Sequence, residues 1–139
     1  MEVKTTSPSQ TAKIANSFAK KLKGGDVVAL YGDLGAGKTV FVQGLARSLG
    51  IKKRVLSPTF VFVRSYPIGN HLTFHHLDLY RGEKITDFQS LGLEEIFSKN
   101  AIVVIEWAEK IKGYLPKKRY DVEIEKIDEK TRKIIVTRN

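Results

Sequence analysis

Apolar residues first gather on one helical face. Ala12, Ala15, Phe18, Ala19 and Leu22 recur three or four apart, the spacing of an amphipathic helix. Ahead of them stands Ser7-Pro8-Ser9-Gln10, which predicts a helix start with Ser7 as N-cap, Pro8 at the first helical position and Gln10 closing a capping box. After Gly24-Gly25 the period changes. Asp26 to Tyr31 reads Asp-Val-Val-Ala-Leu-Tyr, a short apolar run suited to a buried parallel strand. Helical spacing returns at Val40, Phe41, Leu45, Ala46 and Leu49 and stops at Gly50. Two β-rich runs, 60–66 and 72–77, flank Pro67-Ile68-Gly69-Asn70 and predict an antiparallel hairpin. Leu91, Leu93, Ile96 and Phe97 predict a short helix leading into Ala101–Ile105, the most apolar run and the expected central strand. Val122 and Ile124, then Ile134 and Val136, alternate with polar residues on either side of Asp128-Glu129-Lys130, as in a closing hairpin with one exposed face. The expectation is an α/β fold, a single domain over 1–139, with a mixed, mostly parallel central sheet flanked by helices and carrying β-hairpins.

Between the first buried strand and the second helix lies Gly32-Asp-Leu-Gly-Ala-Gly-Lys38-Thr39, the spacing G-x-x-x-x-G-K-[ST] of a P-loop. Glycines there let the backbone curl so that successive N–H groups point at phosphate oxygens. Lys38 is then expected to reach the β and γ phosphates and the Thr39 hydroxyl to bind Mg²⁺, with the next helix adding its N-terminal dipole. Strand, glycine loop and helix together predict a P-loop NTPase fold with its nucleotide at the carboxyl end of a central strand. Lys38 should make no core contact when the site is empty.

Phosphoryl transfer also needs a carboxylate near the metal and a group that orients the attacking water. Glu106 comes directly after the apolar run 102–105 and would be delivered to the sheet's carboxyl edge beside the P-loop, in the manner of a Walker B acid holding Mg²⁺. Asp78, in His76-Leu77-Asp78-Leu79-Tyr80-Arg81, ends another β-rich run; it reads equally as a water-orienting acid or as a turn residue capping the next segment. Thr59, in Ser57-Pro58-Thr59-Phe60, sits in a loop before a strand and reads as a γ-phosphate switch residue or a local cap. Trp107, the only Trp, is a packing anchor or a lid and partner contact beside the nucleotide. His75 and His76 lack a spaced third ligand and read as structural, at most part of the edge around Asp78. Arg132 is a cation able to reach a nucleotide or simply to be solvated.

The 24 basic residues exceed the 15 acidic ones, for a net charge of +9. Paired lysines such as Lys20-Lys21, Lys52-Lys53 and Lys117-Lys118 fit an RNA or acidic partner, or a solvated surface of the kind found in thermophiles. With no Cys, a disulfide framework and a thiol metal site are excluded. The first residues lack the apolar stretch of a signal peptide, and no run approaches membrane-spanning length; the expected compartment is the cytoplasm. No Asn-Lys-x-Asp guanine-reading element appears. The length leaves little room for the lid and acceptor pocket of a small-molecule kinase, which stands as an alternative beside a non-catalytic RNA-binding module.

The P-loop, Ser57-Pro58-Thr59-Phe60, His76 to Arg81 and Glu106-Trp107, in this order and spacing, closely resemble the TsaE family of P-loop ATPases of threonylcarbamoyladenosine formation in tRNA. The resemblance runs from about Ser7 to Arg132. It implies an ATP/ADP-binding, Mg²⁺-dependent ATPase, weak alone, that supports the TsaD and TsaB proteins without itself transferring the threonylcarbamoyl group; contact with tRNA would be indirect. By the same resemblance Gly32 and Gly35, Ala36, Gly37, Lys38, Thr39 and Val40 bind the nucleotide, Thr39 and Glu106 bind Mg²⁺, Ser7 and Arg132 lie near the nucleotide, and Thr59 and Trp107 stand at a nucleotide-sensitive edge that the partner reads.

Overall fold

A computed structural model describes residues 1–33, 35–55 and 62–139; the expectations for Ser57, Pro58, Thr59 and Phe60 fall outside them. Seven strands form one sheet in the order β1-β7-β6-β2-β5-β4-β3. They are β1 (Glu2–Thr5), β2 (Val27–Tyr31), β3 (Val63–Ile68), β4 (Leu72–Asp78), β5 (Ala101–Glu106), β6 (Tyr120–Lys126) and β7 (Arg132–Arg138). The middle of the sheet is parallel, with β2 against both β5 and β6 and β4 against β5; the outer pairs β3–β4, β6–β7 and β1–β7 are antiparallel. This is the expected mixed α/β sheet. β1 was not legible, and β3 runs on through Pro67 and Ile68, so the hairpin turn lies later than expected. Proline is tolerated there because β3 is an edge strand.

Strand alternation divides the core in two. Val28 and Leu30 on β2, and Ile102 and Val104 on β5, meet Phe18 of α1 (Pro8–Ala19) and Phe41 and Leu45 of α2 (Lys38–Ser48). Val27 and Ala29, with Val103 and Ile105, pack on the other side against Phe88, Ile96, Ile111 and Leu115. Those come from 3-10 turns over Ile85–Leu91 and Ala108–Tyr114, the one-turn α3 (Leu93–Ile96) and the residue after the second 3-10 stretch. Both faces are covered, which is why β5 is buried along its whole length. Phe41 is fully buried, and truncating such a ring to Ala typically costs about 3–5 kcal/mol.

The start of α1 matches the sequence signal with one shift. Ser7 Oγ accepts from the Gln10 N–H at 3.1 Å, as an N-cap does. Gln10 Oε1, however, accepts from the Thr6 N–H at 2.7 Å rather than from the N-cap residue itself. α1 lies directly on α2, and Gly44 permits the contact: a Cβ there would stand 2.7 Å from the Ala12 carbonyl oxygen.

The candidate nucleotide site at the carboxyl edge of the sheet

β2, β4 and β5 all end at one edge, so the residues at their carboxyl ends converge. Gly32 comes directly after β2; Glu106 closes β5 and Asp78 closes β4. In register Glu106 stands opposite Leu30 on one side and Asp78 on the other. Above this edge opens a cavity of about 750 Å³, within the usual range for small-molecule sites. Its walls include Ser7, Gly35, Gly37, Lys38, Thr39, Val40, Asp78, Glu106, Trp107 and Arg132, together with Thr6, Thr11, Tyr80, Glu129 and Lys130. Most of the residues singled out from sequence thus meet in one place. Gly32 and Ala36 do not line it; they face a separate depression of about 630 Å³ on the other side of the loop.

Gly35 and Gly37 have φ of 80° and 102°, left-handed values that favour glycine and let the loop turn into α2. α2 carries no acidic residue in its first turn, so its N-terminal field is left for an anion. The loop is braced from β7. Arg132 Nε donates to the Ala36 carbonyl at 3.0 Å and Nη2 to that of Gly35 at 3.3 Å, while Nη1 donates to the Asp128 carbonyl at 2.9 Å. Arg132 therefore reaches the loop, but its donors engage backbone carbonyls rather than pointing freely into the cavity.

Lys38 is buried and, against the expectation of no core contact in the empty site, packs on Trp107, which itself lies against the core. Its ammonium donates to the Gly32 carbonyl and lies 3.7 Å from the centroid of the Trp107 ring. The reason is electrostatic: a desolvated ammonium needs acceptors, and a carbonyl and an aromatic face supply them. Burial lowers its pKa below the ordinary lysine range, opposed by the negative charges of Glu106, Glu109, Asp78 and Asp33.

Trp107 holds its place with a backbone φ of 60° and ψ of 41°, a left-handed conformation that is costly for a bulky residue and clusters at functional sites. Its ring also meets Tyr80, with centroids 5.1 Å apart. Asp78 Oδ1 accepts from the Tyr80 N–H at 3.1 Å, the turn contact that was one reading of it, and the residue also lines the cavity. Burial raises its pKa, reinforced by the charge of Glu106 and opposed by the Tyr80 N–H, His76 and Lys38.

Glu106 is 3% exposed, and its Oε2 is bonded to His76 Nε2 at 2.6 Å. Among the described residues no group of three His, Cys, Asp or Glu side chains forms a ready-made metal cage.

A family model described as "Threonylcarbamoyl adenosine biosynthesis protein TsaE" matches residues 5–134. The chain belongs to the TsaE family. The tRNA threonylcarbamoyladenosine biosynthesis protein TsaE of Bacillus subtilis is 40% identical over 134 residues, covering 96% of this chain and 83% of that protein. The protein of the same description from Treponema pallidum is 35% identical over 136 residues, covering 98% and 99%. Among solved structures, the crystal structure of Bacillus subtilis YdiB superposes with a TM-score of 0.83 at 34% identity, covering 99% of this chain and 84% of that one. Among the described residues no helix is long and apolar enough to cross a membrane.

Within this TsaE-family fold, two site features escaped the sequence. His76 reads as structural, at most as part of the edge around Asp78, and its bond to Glu106, 30 residues away, has no signal in ligand spacing. The hairpin tip that contributes Glu129 and Lys130 to the cavity wall reads only as a turn. The signal for His76 was its parity with Asp78, since residues two apart on a strand share a face. His75, one position off, instead bonds Ser65 at 2.7 Å away from the site.

Proposed function

We propose that this chain is a Mg²⁺-dependent ATPase of threonylcarbamoyladenosine formation in tRNA. It would act in the cytoplasm as one ATPase domain, together with the TsaD and TsaB proteins and touching tRNA indirectly at most. The observation that carries the ATPase reading is the convergence of Lys38, Thr39, Asp78 and Glu106 on one cavity beside a glycine loop. The pathway is supported by the descriptions of the family and of its relatives.

The P-loop N–H groups and the N-terminus of α2 hold the β and γ phosphates. Lys38 exchanges the Gly32 carbonyl and the Trp107 face for phosphate oxygens. Mg²⁺ suits this donor set, because it is commonly held by one or two protein oxygens plus phosphates and waters rather than by an all-protein cage; Thr39 Oγ1 and a Glu106 carboxylate oxygen would supply the protein share. When bound, Mg²⁺ offsets charge that develops on the phosphates. Asp78, at the cavity wall with a raised pKa, orients the attacking water. ADP then leaves by the same opening.

Hydrolysis by the chain alone should be slow. Arg132 is engaged by carbonyls of the loop it braces, and a cation supplied in trans raises such rates by about 10³- to 10⁵-fold. The test is steady-state ATP hydrolysis by the purified chain, with and without TsaB and TsaD. The reading expects low turnover that rises with both proteins and disappears in Lys38→Ala. Rapid turnover indifferent to either protein would refute the accessory role.

A further inference from the structure

We propose that His76 is a positioning residue for Glu106: its Nε2–H holds the carboxylate in the orientation that receives Mg²⁺, an inference that rests on the ATPase reading above. The two side chains are 1% and 4% exposed and meet at 2.6 Å. A carboxylate so buried requires a hydrogen-bond partner. Among the described residues His76 is the side chain that supplies one.

The geometry argues for orientation over packing. His76 Nδ1 is buried with no hydrogen-bond partner among the described residues. A Leu or Phe at this position, on the face that also carries Phe74, would fill the space without stranding a polar atom. What histidine supplies at this position is therefore its other nitrogen. With the proton on Nε2 donating to Oε2, the atom left unmet is the Nδ1 lone pair. One Glu106 oxygen is thereby occupied and the other is left for a ligand.

His76 is also the constant partner. Lys38 leaves Gly32 and Trp107 when phosphates arrive, so its field on Glu106 changes during the cycle. His76 is fixed on β4, whose His76–Val104 and Asp78–Glu106 register ties it to β5. It keeps Glu106 aimed while the lysine moves.

The experiment measures ATP affinity against Mg²⁺ concentration, and again in EDTA, for the native chain, His76→Gln and His76→Asn. A Gln amide nitrogen reaches the position of Nε2; an Asn amide reaches only that of Nδ1. Loss of an outer partner of a metal ligand typically costs 10–100-fold in metal affinity, so the Mg²⁺ midpoint should rise about 10- to 100-fold in Asn and stay within about threefold of native in Gln. ATP affinity in EDTA should be the same for all three. In a Glu106→Gln background, His76→Asn should add nothing further. Equal shifts for Asn and Gln, or none in either, would overturn the positioning role while leaving the ATPase reading intact. A native chain whose ATP binding ignores Mg²⁺ would overturn that reading and this role together. A readout independent of folding of the variants is the side-chain ¹H–¹⁵N spectrum of the native protein. The Nε2–H tautomer is expected before and after Mg²⁺ and ATP are added, and an Nδ1–H tautomer in either state contradicts the proposal.

Discussion

The Lys38 ammonium rests 3.7 Å from the centre of the Trp107 ring while donating to the Gly32 carbonyl. On the proposed function nucleotide draws Lys38 away from both, so ATP should change the emission of Trp107, the only Trp of the chain. Lys38→Met should weaken ATP binding by about 10- to 100-fold, the equivalent of one charge-assisted hydrogen bond. Its emission should respond less to ATP than that of the native chain. A full response in Lys38→Met at saturating ATP would uncouple the two residues.

Asp78 and Glu106 should separate by readout. Asp78→Asn keeps an oxygen for the Tyr80 N–H and removes the charge. It should bind ATP nearly as tightly as the native chain and lose turnover, by about 10²- to 10⁴-fold if it orients the water. Asp78→Ala also loses the turn contact and about 1 kcal/mol of stability. Glu106→Gln should instead lose the Mg²⁺ dependence of binding. Calorimetry and single-turnover hydrolysis on the same samples distinguish the two outcomes.

Most of the architecture was legible because burial is periodic: β2, α2 and β5 each carry an apolar pattern that only one element satisfies. The glycine turn into α2 was legible because its signal is local: Gly35 and Gly37 take the left-handed φ values that let the backbone curl there. The illegible parts depend on distant partners. β1 is four residues, too short to alternate, and forms because β7 offers an edge. Arg132 reaches Ala36 across 96 residues, and the burial of Lys38 depends on a Trp107 ring set by an unusual backbone angle. Pairings of this kind arise from sheet order, which no window of sequence contains.

Arg132 is predicted to stabilise the empty P-loop. Arg132→Ala removes the bonds to Gly35 and Ala36, should speed amide exchange across 35–38, and should weaken ATP binding by about tenfold, as for a partly exposed hydrogen bond. Unchanged exchange in that segment would show that the brace is not needed.

The turn that presents Arg132 should respond to pH. Asp128 Oδ1 accepts the N–H groups of Lys130 and Thr131 at 2.9 and 2.8 Å, which depress its pKa. A depressed carboxylate contributes stability above its unfolded pKa of about 3.9, and that contribution fades as pH falls through the lower folded value. The Lys130 and Thr131 amides should therefore exchange faster at acid pH in the native chain, beyond the intrinsic rate, and show no such rise in Asp128→Asn.

Gly44→Ala opposes two effects. Helix propensity favours Ala by about 1 kcal/mol. The new Cβ, however, would stand 2.7 Å from the Ala12 carbonyl oxygen and 3.0 Å from its Cα, backbone atoms that move only with α1. Overpacking of this kind costs about 1–3 kcal/mol, so net destabilisation is expected in thermal unfolding.

A nucleotide site built on Lys38 is decided by calorimetric titration of the purified chain with ATP in Mg²⁺. One nucleotide should bind per chain, tighter with Mg²⁺ than in EDTA and strongly weakened in Lys38→Ala. Absence of binding to the native chain, or binding that Lys38→Ala leaves unchanged, would contradict it.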